Sequence, residues 1–266
     1  MFLSIITYGA AGLTILALIS IIGYIIIMGI PNLKPSLFSL TYTNDNVSII
    51  PALITTIEMT LLSLVIAVPL GIFTAIYLTE YAKRGNKLVG LVRVTAETLS
   101  GIPSIVYGLF GMLFFVTTLG LGFSLIAGAC TLSIMILPLI MRTTEEALIS
   151  VPDSYREGSF GLGAGRLRTV FKIVLPAAIP GILSGIILAV GRIVGETAAL
   201  IYTAGTATDI PMSVTDSART LSIHMYVLSN EGIHTGEAYA TALILLVMVI
   251  GINALAAFAA KKLTKI

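Results

Sequence analysis

An arginine and a glutamate, Arg192 and Glu196, stand four residues apart inside an apolar run from Val174 to Ala204. If that run is one helix, residues spaced i and i+4 share a face. An unpaired charge at membrane depth costs about 2.5–3.5 kcal/mol on insertion scales, so such residues pair or serve a hydrophilic substrate. A guanidinium presents a rigid fork of donors suited to an oxyanion. Glu196 could hold Arg192 in place, or accept a hydrogen bond from an oxyanion that carries a proton. Thr197 adds a hydroxyl donor beside them. Gly181 and Gly185 fall near the same helical face, and small residues let a second helix approach closely. The expectation is a substrate pathway along that face, between two subunits; the alternative is a buried ion pair that pins helix packing.

The elements that position these charges follow from composition. Of 266 residues, 57% are hydrophobic and 11% are charged. Soluble domains carry about 25% charged residues, so the chain reads as an integral membrane protein. Its apolar runs are continuous and reach the roughly 20 residues a spanning helix needs, unlike the alternating pattern of a membrane barrel. Six segments stand out, at about 5–29, 51–81, 99–118, 122–141, 174–204 and 237–259. The first is too long and too uncharged at its start for a cleavable signal, and is read as a retained span. The expected fold is all-α, a single polytopic transmembrane domain over 1–266. Its single cysteine, Cys130, lies in an apolar run and reads as a small buried residue. His224 and His234 are isolated, and no Cys/His cluster suggests a metal.

Orientation follows from the cations. Lys83, Arg84, Lys87 and Arg93 follow the second segment; Arg142, Arg156, Arg166, Arg168 and Lys172 follow the fourth; Lys261, Lys262 and Lys265 end the chain. The other side holds Lys34 and Arg219. This bias predicts both termini in the cytoplasm, with 30–50 and 205–236 outside. Pro69, Pro103, Pro138 and Pro180 lie in the spans and read as kinks or helix starts, the alternative being broken helices that open backbone to a substrate.

The stretch "VPDSYREGSFGLGAGRLRTVFKIVLP", residues 151–176, is the most specific in the chain. Ser154 and Glu157 have the spacing of a capping box, so a short helix is predicted from Tyr155 to Leu162, stopped by Gly163 or Gly165 in a left-handed cap. By itself it could be a solvated surface loop. Its spacing, however, resembles the EAA loop of ABC-importer permeases through Glu157, Gly158, Ser159, Gly163, Ile173, Leu175 and Pro176. Gly158 and Ser159 replace the two alanines of that pattern. They remain small, at a loss of helix propensity.

Four further stretches carry the resemblance over nearly the whole chain from residue 50. They are "ETLSGIPSIVYGLFG" (97–111), "LPLIMRTTEEAL" (137–148), "GRIVGETAALIYTAG" (191–205) and "LSIHMYVLSNEG" (221–232). Together, in order, they resemble the PstA family, the permease subunits of phosphate ABC importers. The resemblance implies six transmembrane helices in the MetI-like fold of type I importer permeases, a core at about 50–260 and a coupling loop at 143–175. It implies a helix at 153–165 that docks on the cytoplasmic ATPase, with Asp153, Tyr155, Arg156, Glu157, Gly158, Ser159 and Gly163 as coupling residues. It places the family's transport arginines at Arg142 and Arg192, beside Glu196 and Thr197. The residues themselves leave Arg142 open as a positive-inside anchor and Glu97 as a helix start.

The implied partners are a PstC-type permease, a PstB-type ATPase dimer, an external PstS-type binding protein, inorganic phosphate and inner-membrane lipid, with no nucleic acid. The substrate would be hydrogen phosphate in preference to sulfate, which carries no proton for Glu196 to accept. The chain contains no G-x-x-x-x-G-K-[ST] sequence, so no cofactor is expected on it, and ATP and Mg are expected on the partner ATPase. Rival readings are a sulfate or molybdate permease of the same fold, a proton-coupled secondary transporter using Arg192 and Glu196, a membrane-embedded enzyme and a non-transporting scaffold.

Overall fold

The computed structural model describes residues 2–83 and 85–263. Arg84 and Lys265, counted above among the cytoplasmic cations, lie outside the described residues. Among the described residues every regular element is helical. The long helices are α1 (Phe2–Gly29), α2 (Ile50–Ile76, continued by a π turn to Tyr81), α3 (Lys87–Ser100), α4 (Ser104–Gly111, continued by a π turn to Thr118) and α5 (Leu125–Ile149). Then follow α6 (Asp153–Gly161), α7 (Arg166–Thr169, with a π turn to Val174), α8 (Leu175–Val194), α9 (Ala198–Ile201), α10 (Leu221–Glu231) and α11 (Thr235–Leu263). Five of these helical stretches are long and apolar enough to cross a membrane.

The third expected span takes a different form. Helices α3 and α4 meet at a bend of 103°, because Gly101 ends α3 and Pro103 cannot continue it. The two together, Lys87–Ser100 and Ser104–Thr118, make one bent apolar segment. The α3 helix lies across the end of the bundle, capped by Asn86, whose side chain accepts from the Leu88 amide. The turn into α5 runs through Gly120 and Gly122 at φ of +66° and +64°, which glycine adopts without penalty. Ser124 then caps α5 by accepting from the Ala127 amide.

The centre of the bundle is α2, α5 and α8. Ser133 of α5 donates to the Ser63 carbonyl of α2 at 3.1 Å, and Gly71 of α2 lies against Ile140 and Met141 of α5, so these two run parallel. The α8 helix returns antiparallel to α5: a Cβ on Gly181 would sit 2.6 Å from Ala147 Cβ, and one on Gly185 would strike Thr143. The expected close approach at these glycines is therefore present, but α5 of the same chain fills it. Along these turns the face does not line an open path. At this end of the bundle Ile76, Met141, Leu148, Val174 and Ile182 form one core; at the other, Met59, Leu132, Ile136, Ile193 and Leu200 form a second.

Candidate functional site

The apolar run 174–204 is not one helix. The α8 helix ends at Val194, and Gly195 to Thr197 form a break before α9. Glu196 turns into the protein, where its Oε1 accepts the Ala199 amide at 3.0 Å. Its carbonyl accepts the Ser222 hydroxyl of α10 at 2.6 Å. The predicted shared face with Arg192 is thus lost. The physical reason is local: a carboxylate that satisfies an orphan amide at a helix start holds Glu196 on the α9 side of the break. Thr197 stays beside the break with its hydroxyl 3.5 Å from the Gly195 carbonyl. The break is fixed from the far side by α4, whose Gly108 and Gly111 lie against Ala199 and Thr203.

Arg192 is left half-buried one turn before the break, with no carboxylate within 4.0 Å among the described residues. Across from it the Tyr107 phenol of α4 donates to the Leu99 carbonyl at 2.8 Å. Continuing the α5–α8 register brings Arg192 level with Ile136, and thence with Ile66 of α2. That is near the middle of the candidate span Ile50–Tyr81. Arg142 lies six residues along, about 9 Å at 1.5 Å per residue. It is 62% exposed and donates to Glu146, itself 66% exposed, at 3.3 Å. Both line a cavity of about 360 Å³ with Arg93, Glu97, Ser100 and Glu145. Arg93 and Glu145 pair across it at 2.5 Å. The structure therefore separates the four pathway candidates. Arg192 and Thr197 flank the break, Glu196 stabilises it, and Arg142 sits nearer the α6 end.

The coupling candidates divide by face. The α6 helix starts one residue before the predicted cap, with Pro152 at the N-cap and no side-chain cap hydrogen bond. The Ser154–Glu157 capping box does not form. Proline's fixed φ already suits a helix entry. At the other end Gly163, at φ +81°, stops the helix as predicted; its amide bonds Phe160 O and the Ala164 amide bonds Ser159 O, the paired bonds of a Schellman cap. Asp153, Tyr155, Glu157 and Gly158 are exposed, and so are Phe160 and Leu162. Arg156 and Ser159 point inward. Ser159 shares a 2.8 Å hydrogen bond with Thr169, which explains a small side chain there by packing within the chain.

Residues 67–265 match the family of binding-protein-dependent transport system inner membrane components. The chain belongs to that family. This permease is 35% identical over 233 residues to the Bacillus subtilis protein named Probable ABC transporter permease protein YqgI, covering 81% of this chain and 78% of that one. It is 38% identical over 196 residues to the Mycobacterium tuberculosis protein named Phosphate transport system permease protein PstA 1, covering 73% of this chain and 64% of that one. Among solved structures, a bacterial importer of the acidic polysaccharide alginate matches with a TM-score of 0.72 at 17% identity, over 97% of this chain and 95% of that one. The MetNI methionine transporter matches at 0.63 and 22% identity, over 81% and 94%. These establish the fold: the multi-pass, MetI-like fold of type I ABC-importer permeases.

Three features of the permease were not read from sequence. Glu80, at the end of α2, pairs with Arg156 at 2.7 Å. Glu58, inside α2, has a buried Oε2 without a hydrogen-bond partner among the described residues, beside Leu61, Leu125 and Val214; an acidic residue within an apolar run was the available signal. Arg219 lies over the Tyr42 ring at 5.6 Å and places Nη1 3.4 Å from His224 Nδ1. Burial first, and the Arg219 charge second, lower the His224 pKa to about 4.

Proposed function

We propose that this permease is the PstA-type subunit of an ATP-driven phosphate importer. It lies in the inner membrane with both termini cytoplasmic, in one domain with its core at 50–260. It forms the pathway with a PstC-type permease, receives phosphate from a PstS-type binding protein, and couples through α6 and the surrounding loop 143–175 to a PstB-type ATPase dimer that holds ATP and Mg. The naming of a 38% identical relative supports the substrate class. The observation that carries the reading is Arg192, a guanidinium near mid-span with no carboxylate partner among the described residues. Intramembrane charge of that kind marks a substrate route, and its fork of donors suits a phosphate oxygen pair. The second oxygen of Glu196 can accept from a protonated phosphate, and the Thr197 hydroxyl can donate. Arg142 receives the anion nearer the cytoplasm. The exposed Tyr155, Phe160 and Leu162 present α6 to the ATPase, with Asp153, Glu157 and Gly158 on its exposed surface and Gly163 fixing its end. No bond of the substrate is made or broken on this chain.

The test is uptake of labelled phosphate against labelled sulfate in vesicles that carry the permease with its three partner types. Uptake is expected for phosphate, only with ATP, and is lost in Arg192→Ala with the complex still assembled. Sulfate preference would move the substrate to another oxyanion. Proton-driven uptake by this chain alone would overturn the importer reading.

A further inference from the structure

One guanidinium at the α6 end joins three elements. Arg156 Nη2 donates to Glu80 Oε1 at 2.7 Å, and Nε approaches both Glu80 oxygens at 3.2 and 3.4 Å. The same side chain donates to the Leu148 carbonyl in the last turn of α5 at 2.9 Å and to the Val151 carbonyl just beyond it at 2.8 Å. Nη1 also reaches Asp153 Oδ1 at 3.2 Å, at the start of α6 itself. The pair is enclosed, with side chains 15% and 8% exposed. The backbone of α6 packs on α7 and the 170–174 turn, and Arg156 ties it to the end of α2 by charge-assisted hydrogen bonds. The opposite tie, Ser159 to Thr169, fastens α6 to the end of α7. Both ties lie on the inward face, beneath the exposed Tyr155 and Phe160.

We infer that the Glu80–Arg156 pair is the link by which movement of α6 reaches α2 and α5, which makes Glu80 a positioning residue for transport. The inference rests on the proposed coupling role of α6. A helix held on one side alone would roll on its Ser159 tie when pushed. A bidentate, charge-assisted grip on α2, shared with the last carbonyls of α5, converts that push into a joint displacement of the two most tightly packed spans. Glu80 is suited to this because it stands in the π turn Tyr77–Tyr81, beyond the regular end of α2.

The experiment reads span movement directly. Leu61 of α2 is 59% exposed and lines a cavity with Val214, so Leu61→Cys in a Cys130→Ala background provides a thiol on α2. In the assembled complex, maleimide labelling of that thiol is compared with and without ATP. The ATP-dependent change is expected in the unaltered pair and is expected to fall at least tenfold in Glu80→Gln, with complex yield and basal ATP hydrolysis within twofold. An undiminished change in Glu80→Gln overturns the inference. A parallel fall in yield, hydrolysis and labelling would make the pair a packing feature only. Should Glu80→Gln fail to assemble, Arg156→Lys, which keeps the charge and loses the fork, is read in the same way. Phosphate uptake by the unaltered complex is measured alongside. Its absence would sink the substrate reading and leave the labelling comparison decisive for the link.

Discussion

Arg156 and Arg192 are the same residue in opposite circumstances. Arg156 is enclosed by a carboxylate and two helix-end carbonyls. Arg192, on a span, has no carboxylate within 4.0 Å among the described residues. The first has its donors committed within the fold, so its energy goes into holding elements together. The second keeps donors uncommitted where water is scarce, an arrangement that favours an incoming anion. Arg142 stands between them, tied to Glu146 by a solvent-exposed pair of a kind that contributes about 0–1 kcal/mol and yields readily.

The comparison breaks most sharply at Arg192. Arg192→Ala is expected to lower phosphate uptake by at least about 100-fold, the scale of losing one charge-assisted anchor of roughly 3 kcal/mol. The thermal midpoint of the purified complex should barely move. A large drop in midpoint would mean that Arg192 holds helices, like Arg156. For Arg156→Ala the order reverses. It strands Glu80 in a buried site, and removing one member of such a pair costs about 3–5 kcal/mol. The midpoint in detergent is expected to fall, and uptake to fall further than the amount of intact complex, because the link from α6 to α2 is lost as well. An unchanged midpoint would show that water already satisfies Glu80.

Arg219 sharpens the comparison from a third position, because its partners are neutral. It donates to the Thr206 carbonyl at 3.0 Å and lies against His224 and Tyr42. His224 is held near pKa 4 in the folded protein, against an ordinary value of about 6.5. Unfolding lets the imidazole take up a proton below about 6.5. The stability it contributes is therefore complete above that pH and is lost as pH falls toward 4, by about 3 kcal/mol. The midpoint should decline between pH 7 and 4.5, and His224→Gln should flatten the decline. An equal decline in the variant would assign the pH response to other groups.

The readings that succeeded rest on local chemistry. Continuous apolar runs marked the spans, and Gly163 marked the stop of α6. The misreadings come from long-range contacts. Hydropathy alone carries the run 174–204 past Gly195, yet α4 packing on α9 and the Ser222 hydroxyl on Glu196 hold the break open. The inward turn of Arg156 was not legible because Glu80, 76 positions away, is invisible at loop range. Pro103 read as a kink or a helix start, and it caps the start of α4 at the 103° bend; the length of α3 before it was not read. Arg192 stands out in the sequence because a cation in an apolar run is conspicuous whatever its neighbours do.

The smallest expected effect tests whether α6 needs a sharp end as well as a firm grip. Gly163 adopts φ +81°, where a Cβ costs roughly 1 kcal/mol, and no neighbour lies within 4 Å of that Cβ. Gly163→Ala therefore strains the backbone without a clash. Two results are separable. If the Schellman cap only terminates the helix, the midpoint drops by a few degrees and uptake per complex is unchanged. If the cap also sets the angle at which Leu162 and Phe160 meet the ATPase, the midpoint drops by the same few degrees and uptake per complex falls as well. The second result would divide coupling between a rigid inner grip and an outer turn. The first would leave the grip as the dominant element of this end of the molecule.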